Sequence, residues 1–166
     1  MVSQKRRAYS GSTGRVAEVR FVRAAEELGL DVTKSSHTED IHEHVDYWLA
    51  HNKMGRWGVD VKGNNLPDEI WVELMNVQGN PGWLYGGAKI IAFDMPEEGG
   101  FSIVDRVDLL HYTEAELVDA TIVANKRDAY KQKYRRRDRL DLITKLNLHD
   151  LRVLETYRVW RYSQKF

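Results

Sequence analysis

Two alternating stretches separated by a short polar segment constrain this chain more than any other feature. In His44–Leu49, Val45, Tyr47 and Leu49 alternate with His44, Asp46 and Trp48. In Trp57–Lys62, Trp57, Val59 and Val61 alternate with Gly58, Asp60 and Lys62. Strict alternation marks a strand with two different faces. The intervening residues 50–56 are turn-like and contain Gly55, so the pair reads as a β-hairpin with a longer loop. Asp46 and Asp60 each lie seven residues from Lys53. A hairpin symmetric about Lys53 sets the two carboxylates opposite one another, with Cβ atoms about 4.5–5.5 Å apart. The period of two also puts Lys62 on the face of Asp60.

The remaining elements follow from periodicity and turn residues. Ala17, Phe21, Ala24, Ala25 and Leu28 recur at helical spacing and predict an amphipathic helix over 16–29, capped by Ser12 or Thr13 and stopped by Gly29. The polar residues 31–42 read as a loop. Residues 69–76 predict a third strand, 82–87 a short helix or loop, 89–93 a buried fourth strand and 101–110 a fifth. Thr113 and Glu116 have the spacing of a capping box and predict a helix running to about Tyr130. A helix or loop near 146–155 and a strand-like tail over 157–162 close the chain. With 166 residues and no repeat, one domain is expected, with a core over about 10–95 and a C-terminal extension over 96–166.

In order, these are a helix bearing Glu18, a strand bearing Asp46, and a strand bearing Asp60-Val61-Lys62. This pattern resembles the PD-(D/E)XK nuclease superfamily, and most nearly its small phage endonucleases and Holliday-junction resolvases. The signature there is a helix Glu, a strand Asp, and Asp/Glu-x-Lys on the next strand. This chain has Val45 where the name-giving Pro would stand, and Asp60 in place of the commoner Glu. The resemblance covers residues 10–95. It implies an α/β fold with a restriction-endonuclease-like core: helix, three strands, helix, strand, as a mixed sheet flanked by helices. It also implies phosphodiester hydrolysis leaving a 5′-phosphate, and a possible homodimer.

The resemblance gives each residue a role with a physical reason. Mg²⁺ takes oxygen ligands and keeps several waters. Asp46, Asp60 and the Val61 backbone carbonyl would supply such ligands to Mg²⁺, with Mn²⁺ as a substitute. Glu18 would hold a metal-bound water or a second ion. Lys62 would orient the attacking water or stabilise charge developing on the phosphoryl group. Two buried carboxylates this close repel strongly without a cation. Glu73, Asn76 and Gln78, after the third strand, are auxiliary candidates, against the simpler reading that Asn and Gly here make a turn.

Charge decides the expected partner. The formal net charge is zero, which alone argues against nucleic acid, but it is unevenly spread. Residues 1–23 carry +5, residues 126–139 carry +6, residues 140–166 carry +2, and the intervening 24–125 carry −13. The run 126–139 holds Lys126, Arg127, Lys131, Lys133, Arg135, Arg136, Arg137 and Arg139, interleaved with Tyr130 and Tyr134. Cations track phosphates and aromatic rings stack on bases, so duplex or branched DNA is the expected partner. Asp138 and Asp141 read as salt-bridge partners.

Two other readings compete. One is a non-catalytic nucleic-acid-binding module on the same fold. The other is a metal-dependent non-nuclease enzyme using His42 and His44 with Asp46 on one strand face for Zn²⁺ or Fe²⁺. The absence of cysteine fits a reducing compartment. No apolar run approaches 18 residues, and the charged MVSQKRR start leads into no apolar stretch, so neither a membrane span nor a secretory signal is expected. The cytoplasm of a cell or of an infected host is the expected location.

Overall fold

The computed structural model describes the backbone of residues 2–64 and 66–162, and the side chains of residues 13–64 and 66–162. The predicted side-chain cap at Ser12 and the cations Lys5, Arg6 and Arg7 therefore lie outside the described side chains. Among the described residues the chain is mixed α/β, with two sheets.

A six-stranded sheet forms the centre. Its strands are β1 (Asp31–Lys34), β2 (Tyr47–His51), β3 (Gly55–Lys62), β5 (Ile90–Met95), β6 (Gly100–Asp105) and β10 (Arg158–Arg161), in the spatial order β1-β2-β3-β5-β6-β10. β1, β2 and β3 are antiparallel neighbours, and β5 runs parallel to β3. A second, four-stranded sheet has the order β4-β9-β8-β7, from β4 (Glu69–Met75), β9 (Leu142–Asn147), β8 (Lys133–Tyr134) and β7 (Ile122–Val123).

Helix α1 (Val2–Glu27) covers one face of the central sheet. Its Ala17, Phe21, Ala24 and Ala25 are buried against Leu49, Val59, Val61, Phe101 and Ile103. The helix closes where Gly29 turns left-handed (φ 77°) and Leu30 N–H bonds to Ala25 C=O at 3.1 Å. Leu28, expected on the buried stripe, is 56% exposed because the helix ends before it. The helix runs through Thr13, which is therefore no N-cap.

The other face of the central sheet packs on the second sheet. Val45, Ile91, Phe93 and Val104 meet Ile70, Val72, Trp83 and Leu146 there. Helices α3 (Arg106–Glu116) and α4 (Leu148–Arg152) add Leu109 and Leu151 to this core. The layers are thus helix, sheet, sheet, with β3 buried between.

The hairpin register matches the sequence reading. Tyr47 pairs with Val59 and Leu49 with Trp57, a ladder centred on Lys53. The turn is shorter than expected, because the strands extend inward to His51 and Gly55.

Several expectations need correction. Residues 31–42 are not a loop: they form β1 and helix α2 (His37–Glu43), which starts from a Ser36 capping box with Glu39. The 69–76 strand exists but joins the second sheet, pairing Ile70 with Leu146. Alternation tells which residues face a core, not which strand lies alongside. Among the described residues between β3 and β5 there is no α-helix, only β4 and a 3₁₀ turn at Trp83–Tyr85. The predicted fifth strand stops at Asp105, whose carboxylate accepts Val107 N–H at 2.8 Å and caps α3. Thr113 sits buried inside that helix, and residues 117–130 do not continue it.

Candidate active site

The site forms where β2 begins and β3 ends. His44 closes α2 in a left-handed conformation (φ 53°), its N–H bonded to Glu39 C=O. Gly86 and Gly87 press against this turn: a Cβ on Gly86 would stand 2.8 Å from Glu43 C=O. Gly87 N–H also donates to Glu43 C=O at 2.6 Å. The clamped turn delivers Asp46 immediately before β2.

Asp46 then completes the sheet with its side chain. Asp46 Oδ2 accepts Val61 N–H at 2.7 Å, and Asp46 N–H donates to Val59 C=O at 2.8 Å. The N–H and C=O of one strand residue point to the same edge. The Val61 carbonyl therefore points toward the start of β2, where Asp46 lies.

Asp60 and Lys62 project from the face opposite α1. Lys62 Nζ lies 2.7 Å from Asp60 Oδ1 and 4.9 Å from the centre of the Trp83 ring. The ammonium is held between a carboxylate and an aromatic face. Trp83 is itself fixed edge-on to Phe93. Asp60 is 2% exposed, and its carboxyl reaches that of Asp46. Asp60 Oδ2 is buried and receives no hydrogen bond.

The electrostatics follow from this crowding. Burial and the neighbouring Asp60 charge push Asp46 up to about 7, against its bond from Val61 N–H. Burial also raises Asp60, with Lys62 opposing. Two carboxyls in contact share protons as one unit. His44 is lowered by burial and by the charge of Lys62.

This arrangement suits a hard divalent cation. Asp60 has a buried oxygen with no hydrogen-bond partner, the Asp46 carboxyl lies close enough to be raised by the Asp60 charge, and the Val61 carbonyl is directed to the strand edge where Asp46 lies. Among the described residues, no three His, Asp or Glu side chains gather as a metal cluster. A cation here would rest on two carboxylates, the Val61 carbonyl and water, which is the pattern Mg²⁺ favours.

The other expected residues divide. Glu18 is on α1, across the sheet, where it accepts from Lys34 Nζ at 2.8 Å and the Tyr47 hydroxyl at 3.0 Å. Its charge still helps raise Asp46. Glu73 lies close enough to act on His44 and lines the adjacent cleft. Asn76 makes the turn: its Oδ1 accepts from Gln78 N–H at 2.9 Å and Asn80 N–H at 3.0 Å. Gln78 is exposed in that turn. His42 and His44 do not share a strand face, since one is on α2 and the other is its cap. The His-x-His reading therefore loses its geometry.

The basic run also divides. Lys131 bonds to Glu116 at 2.9 Å and to buried Asp150 at 3.1 Å, and Arg136 pairs with buried Asp141. These are structural ion pairs. Lys126 reaches Glu69 only at 4.0 Å. Arg127, Arg135, Arg137 and Arg139 are exposed, Lys133 is half-buried, and Arg137 has only a 3.8 Å contact to exposed Asp138.

A cleft of about 460 Å³ adjoins the site, with Trp83 in its wall and Trp71, Glu73, Lys126, Tyr134 and Arg136 around it. Reading the sequence marked Tyr134 but passed over Trp71, whose neighbours are set by the pairing of β4 with β9. Comparison with protein-family models, with curated proteins and with solved structures returned no match.

Proposed function

We propose that this chain is a metal-dependent deoxyribonuclease that hydrolyses phosphodiester bonds at Asp46, Asp60 and Lys62. The observation that carries the reading is the buried Asp60 carboxylate, whose Oδ2 has no hydrogen-bond partner, whose Oδ1 holds the Lys62 ammonium at 2.7 Å, and which interacts with the Asp46 carboxyl. The order of elements supports it too: a helix, three antiparallel strands, then a parallel strand beside the one carrying Asp60-Val61-Lys62. That order is compatible with a restriction-endonuclease-like core whose crossover lacks its α-helix.

Asp46, Asp60 and the Val61 carbonyl would hold Mg²⁺ or Mn²⁺. When bound, the ion supplies Lewis acidity and makes a coordinated water a better nucleophile. The chain's own residues do the rest. Lys62, fixed by Asp60 and Trp83, donates to the attacking water or to the phosphoryl oxygens as charge builds there. Glu18, held by Lys34 and Tyr47, adds some negative charge behind Asp46. The exposed cations of 126–139 hold the DNA backbone.

The test is a panel of linear duplex, four-way junction, flap and single-stranded DNA, incubated with Mg²⁺, Mn²⁺ or EDTA. The expected result is cleavage that needs the metal, disappears in Asp60→Asn and is about 10²–10³-fold slower in Lys62→Ala. DNA binding without metal-dependent cleavage of any substrate would instead make the chain a binding module.

A further inference from the structure

We infer that the cleft beside the Asp46–Asp60 pair takes an unpaired nucleotide, so that the substrate is single-stranded or branched DNA. The inference rests on the nuclease reading above. Trp83 links the two places: Lys62 sits 4.9 Å from its ring on the site side, and the same residue walls the cleft. A volume of about 460 Å³ lies inside the range of about 300–1,000 Å³ usual for small-ligand sites.

The lining has the polarity of a nucleotide. Trp71 and Tyr134 stand 6.2 Å apart and tilted by 55°, so the two rings do not stack face to face. Aromatic faces of this kind stack on bases without regard to sequence. Lys126 is 59% exposed and only loosely held, 4.0 Å from Glu69 and 5.2 Å from the Trp71 ring centre. It can swing to a phosphate at the rim, beside Arg136. Glu73 offers an acceptor in the wall for a base amino group. An intact duplex buries its base faces in the stack, so only an unpaired or extruded nucleotide can present one here.

The experiment measures binding in EDTA by fluorescence anisotropy, so that cleavage does not intrude. The probes are a labelled ten-nucleotide strand, an abasic strand of equal length and charge, and a blunt duplex. The base-bearing strand should bind about tenfold or more tightly than the abasic one. Trp71→Leu and Tyr134→Leu should each remove that difference while leaving abasic-strand affinity unchanged, which also reports that the variant is folded. Equal binding of the base-bearing and abasic strands would overturn the inference, as would duplex binding equal to that of the single strand. Metal-dependent cleavage confined to intact duplex also overturns it while leaving the nuclease standing. Base-dependent binding with no cleavage of any substrate removes the nuclease reading and keeps the base contact.

Discussion

The Asp46 carboxylate accepts the backbone N–H of Val61 at 2.7 Å, so a side chain occupies the ladder position just before β2 begins. This bond fixes the carboxylate beside Asp60 and makes Asp46 a structural as well as a chemical group. Asp46→Ala should leave the Val61 N–H unpaired and cost about 1–3 kcal/mol in denaturant unfolding. Asp46→Asn keeps an acceptor for that N–H and should fold normally.

The same residue predicts a pH dependence. Asp46 titrates near 3.8 when unfolded and at about 7 when folded. Between these values the folded chain holds the extra proton, so stability should fall as pH rises from about 4 to 7 and level off above. Asp46→Asn should therefore stabilise the protein at pH 8 and change little at pH 4. The difference has an upper bound of about 4 kcal/mol. Urea unfolding of both proteins at the two pH values checks this; a wild-type stability that rises over that interval would contradict it.

A divalent cation should offset that repulsion. Mg²⁺ in excess should raise the melting temperature at pH 8, more than at pH 5, and EDTA should reverse the rise. At a hundred times its dissociation constant the gain is about 2.7 kcal/mol. An Asp60→Asn variant should lose most of this response, because the orphaned oxygen is gone.

Cleavage should respond differently to each acidic or basic group. Lys62→Ala should lower the rate about 10²–10³-fold while DNA binding persists. Asp46→Asn and Asp60→Asn should abolish detectable metal-dependent cleavage. Glu18→Gln should slow it far less, since Glu18 is bonded to Lys34 and Tyr47 across the sheet. Single-turnover cleavage assays separate these cases; equal losses in Glu18→Gln and Lys62→Ala would contradict the arrangement.

The basic run should behave as two populations. Replacing Arg135, Arg137 and Arg139 together should weaken DNA binding and flatten its log–log salt slope by about 2, with no loss of stability. Lys131→Ala should instead destabilise by about 1–3 kcal/mol, because Lys131 serves buried Asp150. Salt-dependent anisotropy and thermal melts on both variants distinguish the two roles.

The hairpin was legible in the sequence because its information is local. A period of two sorts faces, and equal distances from Lys53 set the register that pairs Tyr47 with Val59. Asp60 and Lys62 on one face follow from the same period, and the buried stripe of Ala17, Phe21, Ala24 and Ala25 follows from the helical one. The helix α2 was hidden because its seven residues are too few and too polar to show a stripe, and none of them is buried. The false capping box at Thr113 had the right spacing, but Asp105 lay at the end of a buried strand and capped first.

What the sequence by itself determined is therefore the two-faced hairpin with Asp46, Asp60 and Lys62 at one end. Only the tertiary structure decided what surrounds them. It sent β4 to a second sheet, set Trp83 under Lys62, placed Glu18 on the far face, and tied Lys131 and Arg136 of the basic run to buried Asp150 and Asp141. Those outcomes depend on pairings between residues far apart in the chain, such as Ile70 with Leu146. No local periodicity specifies such a partner; burial of one apolar face against another does.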